Sequence, residues 1–333
     1  MSIRKTFLLL FVFSLVMSML PTSCNKNGYT ITNTTADSST QIIMANDELK
    51  VNYEFDQAVN EALLATTLSS IASGDTASPG TGTVLYNTIS GAIVDTSHIN
   101  DSSLIHITYY GKNADQTKGR TGLITIQFSR DGNDKIIPWK TPGAIVNITF
   151  QQYEVIVLAT NVSLWMNGTA TITNTSGGLL KKPSNITLQP GDSLRDRLSG
   201  NIVFTYNDNT TLVQTWTWNI NQARTFNLQN SVLTCTIRGD STVSGSNGIS
   251  TTGTTRFNNI FYTQLTAPIV QNISASYILS NPLSGEKVIH GISEQLTIDY
   301  GVNSSGSFVQ SSPYGYKITW VHSGGQAVSV VSY

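Results

Sequence analysis

Charge is scarce in this chain. Lys, Arg, Asp and Glu make up 12% of its 333 residues, against roughly 25% in ordinary soluble domains. No basic stripe is present to meet a phosphate backbone, which excludes nucleic acid as a partner. Cysteine is scarcer still, with two in the whole chain, Cys24 and Cys235, so a disulfide framework is excluded. The four histidines, His98, His106, His290 and His322, fall in no nucleophile motif, and G-x-S-x-G is absent. A Ser or Cys nucleophile needs a base within hydrogen-bond reach, so the sequence points to no catalytic residue, no metal set and no cofactor. His98 and His106 would share a face only on one straight strand, and Asn100-Asp101 between them argues against that.

Long apolar runs are absent after the first 20 residues. Arg4 and Lys5 precede FLLLFVFSLVMSML (7–20), and Pro21, Thr22, Ser23 and Cys24 follow. A basic start and a short apolar stretch form a secretory signal. A spanning helix needs about 20 apolar residues, and Pro21 comes too soon for one. The apolar run, small residues and cysteine resemble the lipobox of bacterial lipoproteins. That resemblance implies that residues 1–23 are removed and that the Cys24 sulfur carries a diacylglyceryl group. One departure is Pro21, which stands where the pattern usually has Leu, with Leu20 one place further back. Each buried methylene contributes about 0.8 kcal/mol, so two or more acyl chains anchor firmly. The membrane is then a partner through lipid on Cys24. Losing Arg4 and Lys5 takes Lys+Arg from 19 to 17 against 20 Asp+Glu, leaving a net charge of about −3.

Residues 24–46 read as the lipidated cysteine and a tether, poor in apolar residues and without helical period. Residues 47–72 predict a helix: Phe55, Val59, Ala62 and Leu63 recur at three- and four-residue steps, and Gly74 can stop it. Residues 73–83 predict a loop. From 84 onward the period is two. Ile124, Ile126 and Phe128 share a face, as do Ala144, Val146, Ile148 and Phe150, then Ile202, Phe204 and Tyr206, then Leu212, Trp216, Trp218 and Ile220. Strands without intervening helices imply an all-β, antiparallel sandwich or stacked sheets, with the N-terminal helix packed on the β body. The length suggests two units, 84–198 and 199–333. LIHITYYGKN (104–113) and QLTIDYGVN (295–303) share Ile-x-Tyr soon followed by Gly, a weak internal repeat.

The segments IHITYYG, GRTGLITIQFS, PGAIVNITFQQYEV, NGTATITNTSG and LTIDYG resemble a group of uncharacterised lipoproteins of the Bacteroidetes type. The resemblance runs from about 104 to 320. It implies a tethered antiparallel β protein at the outer membrane, with no assigned reaction. It also moves one turn. Asn167-Gly168 alone reads as a two-residue hairpin turn, whereas the resemblance places the turn at Ala159-Thr160-Asn161 and a bulge at Gly168. Surface-exported members carry acidic residues after the cysteine. Asn25-Lys26-Asn27 stands there, so the periplasmic or surface face stays open.

Few residues suggest chemistry. Asp192 and Asp196 in GDSLRDRLSG read as a charged turn, and Asp131 to Asp134 as a β-turn without the distal Glu of a calcium loop. Cys235 in VLTCTIRG reads as a buried strand residue. Trp216 and Trp218 lie two apart and share one face, which is either core or a platform for sugar rings. The first expectation is therefore a membrane-tethered protein of the cell envelope, not an enzyme, with a structural or protein-interaction role. The alternative is a glycan-binding module using Trp216 and Trp218. A glycosidase, which would need two converging carboxylates, comes third.

Overall fold

The computed structural model describes residues 38–76, 83–180, 193–208, 213–229, 232–240, 248–274, 278–291, 295–322 and 325–333. Cys24, Asp192 and Leu212 lie outside them, and so does the His322 side chain.

The chain is all-β and antiparallel, with one long N-terminal helix packed on the β body. Helix α1 (Ser38–Thr66) comes first, then the short α2 (Ser70–Ser73). Strands β1 (Val84–Tyr86) and β2 (Ala92–Asp95), helix α3 (Ile99–Ser102), β3 (Leu104–Tyr109) and β4 (Lys118–Phe128) follow. Four long strands, β5 (Ile145–Val157), β6 (Val162–Asn174), β7 (Ser193–Asn207) and β8 (Gln214–Gln229), stand in the middle, and a fifth, β11 (Ile260–Ile273), lies beyond them. The remainder are β9 (Val232–Gly239), β10 (Ile249–Thr254), β12 (Ser284–His290), β13 (Leu296–Val302), β14 (Gly315–His322) and β15 (Gly325–Ser332).

These strands join one sheet in which chain neighbours pair. The exception is one lane shared by β9 and β10. β10 pairs Trp218–Ile220 of β8, and β9 pairs Gln222–Gln229; β11 pairs both from the other side. Where the sequence suggested two units, the structure has a continuous sheet, and the division between 198 and 199 falls inside β7. Leu198 pairs Ile172 on one side and Gln222 on the other.

Period-two alternation sets which face is covered. Ile124, Ile126, Phe128, Val146, Ile148, Phe150, Ile202 and Phe204 all lie in the core, as the pattern predicts. The β5–β6 turn falls between Val157 and Val162, with Asn161 at φ +54°. Gly168 lies within β6 at φ +136°, opposite Phe150, beside the register shift between Phe150 and Tyr153. A Cβ there would stand 2.2 Å from the Asn201 carbonyl oxygen. The close approach of β7, as well as the backbone angle, requires glycine.

The helix differs from its expected bounds. It begins at Ser38, so residues 38–46, read as tether, are its first turns. Ile42, Met44 and Ala45 are buried together with Phe55, Val59, Ala62 and Leu63. A helix covered on every side shows no single apolar stripe, which is why the period was faint before residue 47. It stops at Thr66, where the Thr66 and Thr67 hydroxyls bond back to the Leu63 and Leu64 carbonyls. Ser69 then caps α2, and Gly74 closes it in the left-handed conformation.

Partners of α1 come from distant parts of the sheet. Phe55 packs on Phe150 of β5, with ring centroids 5.7 Å apart. On the far side the Tyr53 hydroxyl donates to the Leu279 carbonyl (3.1 Å), and the Leu279 amide donates to Gln57 Oε1 (3.0 Å). Tyr316 of β14 donates to Asn46 Oδ1. Strands so far apart in sheet order reach one helix only if the sheet curls around it.

Candidate functional site

The buried helix carries polar residues on its covered faces: Asp47, Glu48, Asn52, Asp56, Gln57, Asn60 and Glu61. An unpaired buried charge costs several kcal/mol, so each carboxylate needs a cation from elsewhere. The sheet provides them. Arg120 on β4 donates from Nη1 to both Glu61 oxygens at 2.6 and 2.8 Å. Lys118, two residues earlier and hence on the same face of β4, pairs with Glu54. Lys287 of β12 reaches Glu48 at 3.2 Å. Arg256, in the β10–β11 connection, clasps Asp47 through Nε and Nη2.

The two repeat segments meet this helix in the same way. Tyr109 of β3 donates to Glu61 Oε2 at 2.7 Å, and the Arg120 guanidinium lies 4.9 Å from its ring centre. Tyr300 of β13 lies with Lys287 Nζ at 5.9 Å from its ring centre, beside Glu48. Tyr109 faces Gly122, and Tyr300 faces Gly285, on the strand that carries the cation. Burial, with a nearby glutamate adding to it, pushes both phenols well above their usual range. Each Ile-x-Tyr therefore sets an aromatic ring under a cation that holds a helix carboxylate.

Asp56 is different. It is 5% exposed, and its Oδ1 has no hydrogen-bond partner among the described residues. Beside it lies a cavity of about 20 Å³ lined by Asn52, Gln222, Ser250 and Lys287. Burial pushes the carboxyl up to about 6; Arg224 and Lys287 pull it down, and Glu48 and Asp196 push it up.

Several sequence expectations take a definite place. Trp216 is 3% exposed and Trp218 2%, so the glycan platform is corrected: both indoles are core. Phe204 stacks on Trp216 and meets Trp218 edge-on, and Trp218 Nε1 donates to the Thr254 carbonyl at 3.0 Å. At 150–250 Å² each, their burial contributes up to roughly 10 kcal/mol. Trp165 is the indole on the outer face, 39% exposed, and it donates to Glu154 Oε1. Asp196 belongs to no turn. It lies in β7 opposite Arg224 of β8, and the two form a buried bidentate pair at 2.7 and 2.8 Å. Asp131 does form a turn, accepting the amides of Asn133 and Lys135. Cys235 is buried, and burial pushes its thiol up.

His98 and His106 do come together, with ring centroids 5.5 Å apart, because α3 folds the chain back instead of one strand carrying both. His98 Nε2 lies 3.9 Å from Asp95 Oδ2. Among the described residues no group of His, Cys, Asp or Glu is arranged to hold a metal ion. His290 stacks on Tyr262 at 4.6 Å. Sequence reasoning missed the buried acidic helix and its cations. The even spacing of Lys118 and Arg120 on one strand was the available signal.

Fold and site define an antiparallel sheet curled around a central acidic helix. No model of a protein family, no curated protein and no solved structure matches the chain.

Proposed function

We propose that the chain is a lipoprotein of a bacterial cell envelope, held to the outer membrane through lipid on Cys24, with a structural or protein-interaction role and no reaction of its own. The observation that carries this reading is the N-terminal pattern: Arg4-Lys5, the apolar run 7–20, then Thr22-Ser23-Cys24. The fold suits an anchored protein that takes up tension. Helix α1 begins at Ser38, and the 13 residues between Cys24 and it can span at most roughly 50 Å. Pull on the anchor would fall on a helix held inside the sheet by four ion pairs, from Asp47, Glu48, Glu54 and Glu61.

Two surface features suit an interaction role. The outer face of the central strands is polar and carries few charges, with Thr171 bonded to Asn147 and Asn201 to Asn219. Strand β15 ends the sheet order with eight residues, and an edge of that length can accept a further strand. The test is acyl labelling and membrane fractionation of the wild type and Cys24→Ala. Label and membrane retention are expected in the first and lost in the second. An unlabelled wild type in the soluble fraction would end the proposal.

A further inference from the structure

We propose that the cleft along α1 binds a single-chain amphiphile whose head carries no charge. The cleft has two chambers. The larger, about 600 Å³, is walled by Leu49 of α1, Val155 and Val157 of β5, Val162 and Leu164 of β6, and Tyr316 of β14. Its volume is that of a small-molecule site, and such sites are mostly apolar with a few placed polar groups. The smaller chamber, about 270 Å³, is polar and is lined by Gln57, Asn87, Ser90 and Asn113. Tyr53, Glu54, Asp115 and Lys118 line both. The chambers therefore meet at the Glu54–Lys118 ion pair, and one molecule can place a tail on one side of it and a head on the other.

The charges select the head. Lys118 is held by Glu54, Arg120 by Glu61 and Asp47 by Arg256, so a charged head would have to break an existing pair; Lys50, which also lines the larger chamber, stands exposed, where water screens its pull on an anionic head. Asp115 accepts the amide and hydroxyl of Thr117 and stands exposed, where water screens its pull on a cationic head. Gln57 and Asn113 are already bonded to Glu61, Leu279, Thr117 and Lys118, so recognition falls to the Asn87 amide and the Ser90 hydroxyl, which suits a hydroxylated, uncharged head.

The test uses the full mature chain with Cys24→Ser, so that no covalent acyl chain competes. Dodecyl maltoside is titrated calorimetrically below its micelle concentration, alongside maltose, dodecanoate and dodecyltrimethylammonium. Saturable one-to-one binding of the maltoside is expected, at least tenfold tighter than any of the other three. Val157→Trp, which fills the apolar chamber, is expected to weaken it at least tenfold. Ala114→Trp, at the exposed mouth of the polar chamber, is expected to weaken the maltoside as well. Near-ultraviolet circular dichroism checks that both variants keep the packed core. Absence of saturable binding, equal binding by either charged homologue, or full binding in folded Val157→Trp would each overturn the proposal.

Discussion

Replacing Asp56 by Asn should make the protein more stable at neutral and alkaline pH. Asp56 sits in the core without a hydrogen bond to Oδ1, and burial raises its pKa from 3.8 to about 6. The folded-state value lies above the unfolded one, so the folded state holds the proton more tightly. The group's contribution is complete below about pH 4 and is lost as pH rises through about 6. At 1.36 kcal/mol per pKa unit, a shift of about two units amounts to about 3 kcal/mol. Asn keeps the shape and the acceptor and cannot ionise. Asp56→Asn is therefore expected to exceed the wild type by up to about 3 kcal/mol at pH 8, and to match it near pH 4. Urea unfolding followed by tryptophan fluorescence at a series of pH values measures the gap, since buried Trp216 and Trp218 report on the core. Taking the difference between variant and wild type removes Asp47 and Asp196, which burial also raises. A variant no more stable than the wild type at pH 8, or a gap that does not close on acidification, would refute the reasoning.

Two further outcomes follow from the packing. Arg120→Ala strands Glu61 in the core and should cost about 3–5 kcal/mol, most of it recovered by Arg120→Met with Glu61→Gln; a double-mutant cycle in urea measures both. Gly168→Ala meets the Asn201 carbonyl at 2.2 Å on a backbone at φ +136° and should cost more than about 1 kcal/mol, read as a lowered thermal midpoint.

The strands were legible because their signal is local. Ile124-x-Ile126-x-Phe128 tells which face is buried without knowing what buries it, and the pleat alone enforces it. The helix core at Phe55, Val59, Ala62 and Leu63 was legible for the same reason. Its first turns were not, because Ile42 and Ala45 are covered by a wall that the local pattern does not contain. The tryptophan pair could be placed on one face but not assigned to the core, since burial depends on Phe204, Phe261 and Thr254 from other strands.

Periodicity and composition alone therefore set the class: an antiparallel β protein poor in charge, led by one helix. The interior of that helix belonged to the assembled fold. Glu61 meets Arg120 across 59 residues, Asp47 meets Arg256 across 209 and Glu48 meets Lys287 across 239. Ion pairs between such remote positions leave no period in the chain. They exist because a curled sheet brings cations from separate strands and from one connection to a single buried axis, where a paired carboxylate is far less costly than an unmatched one.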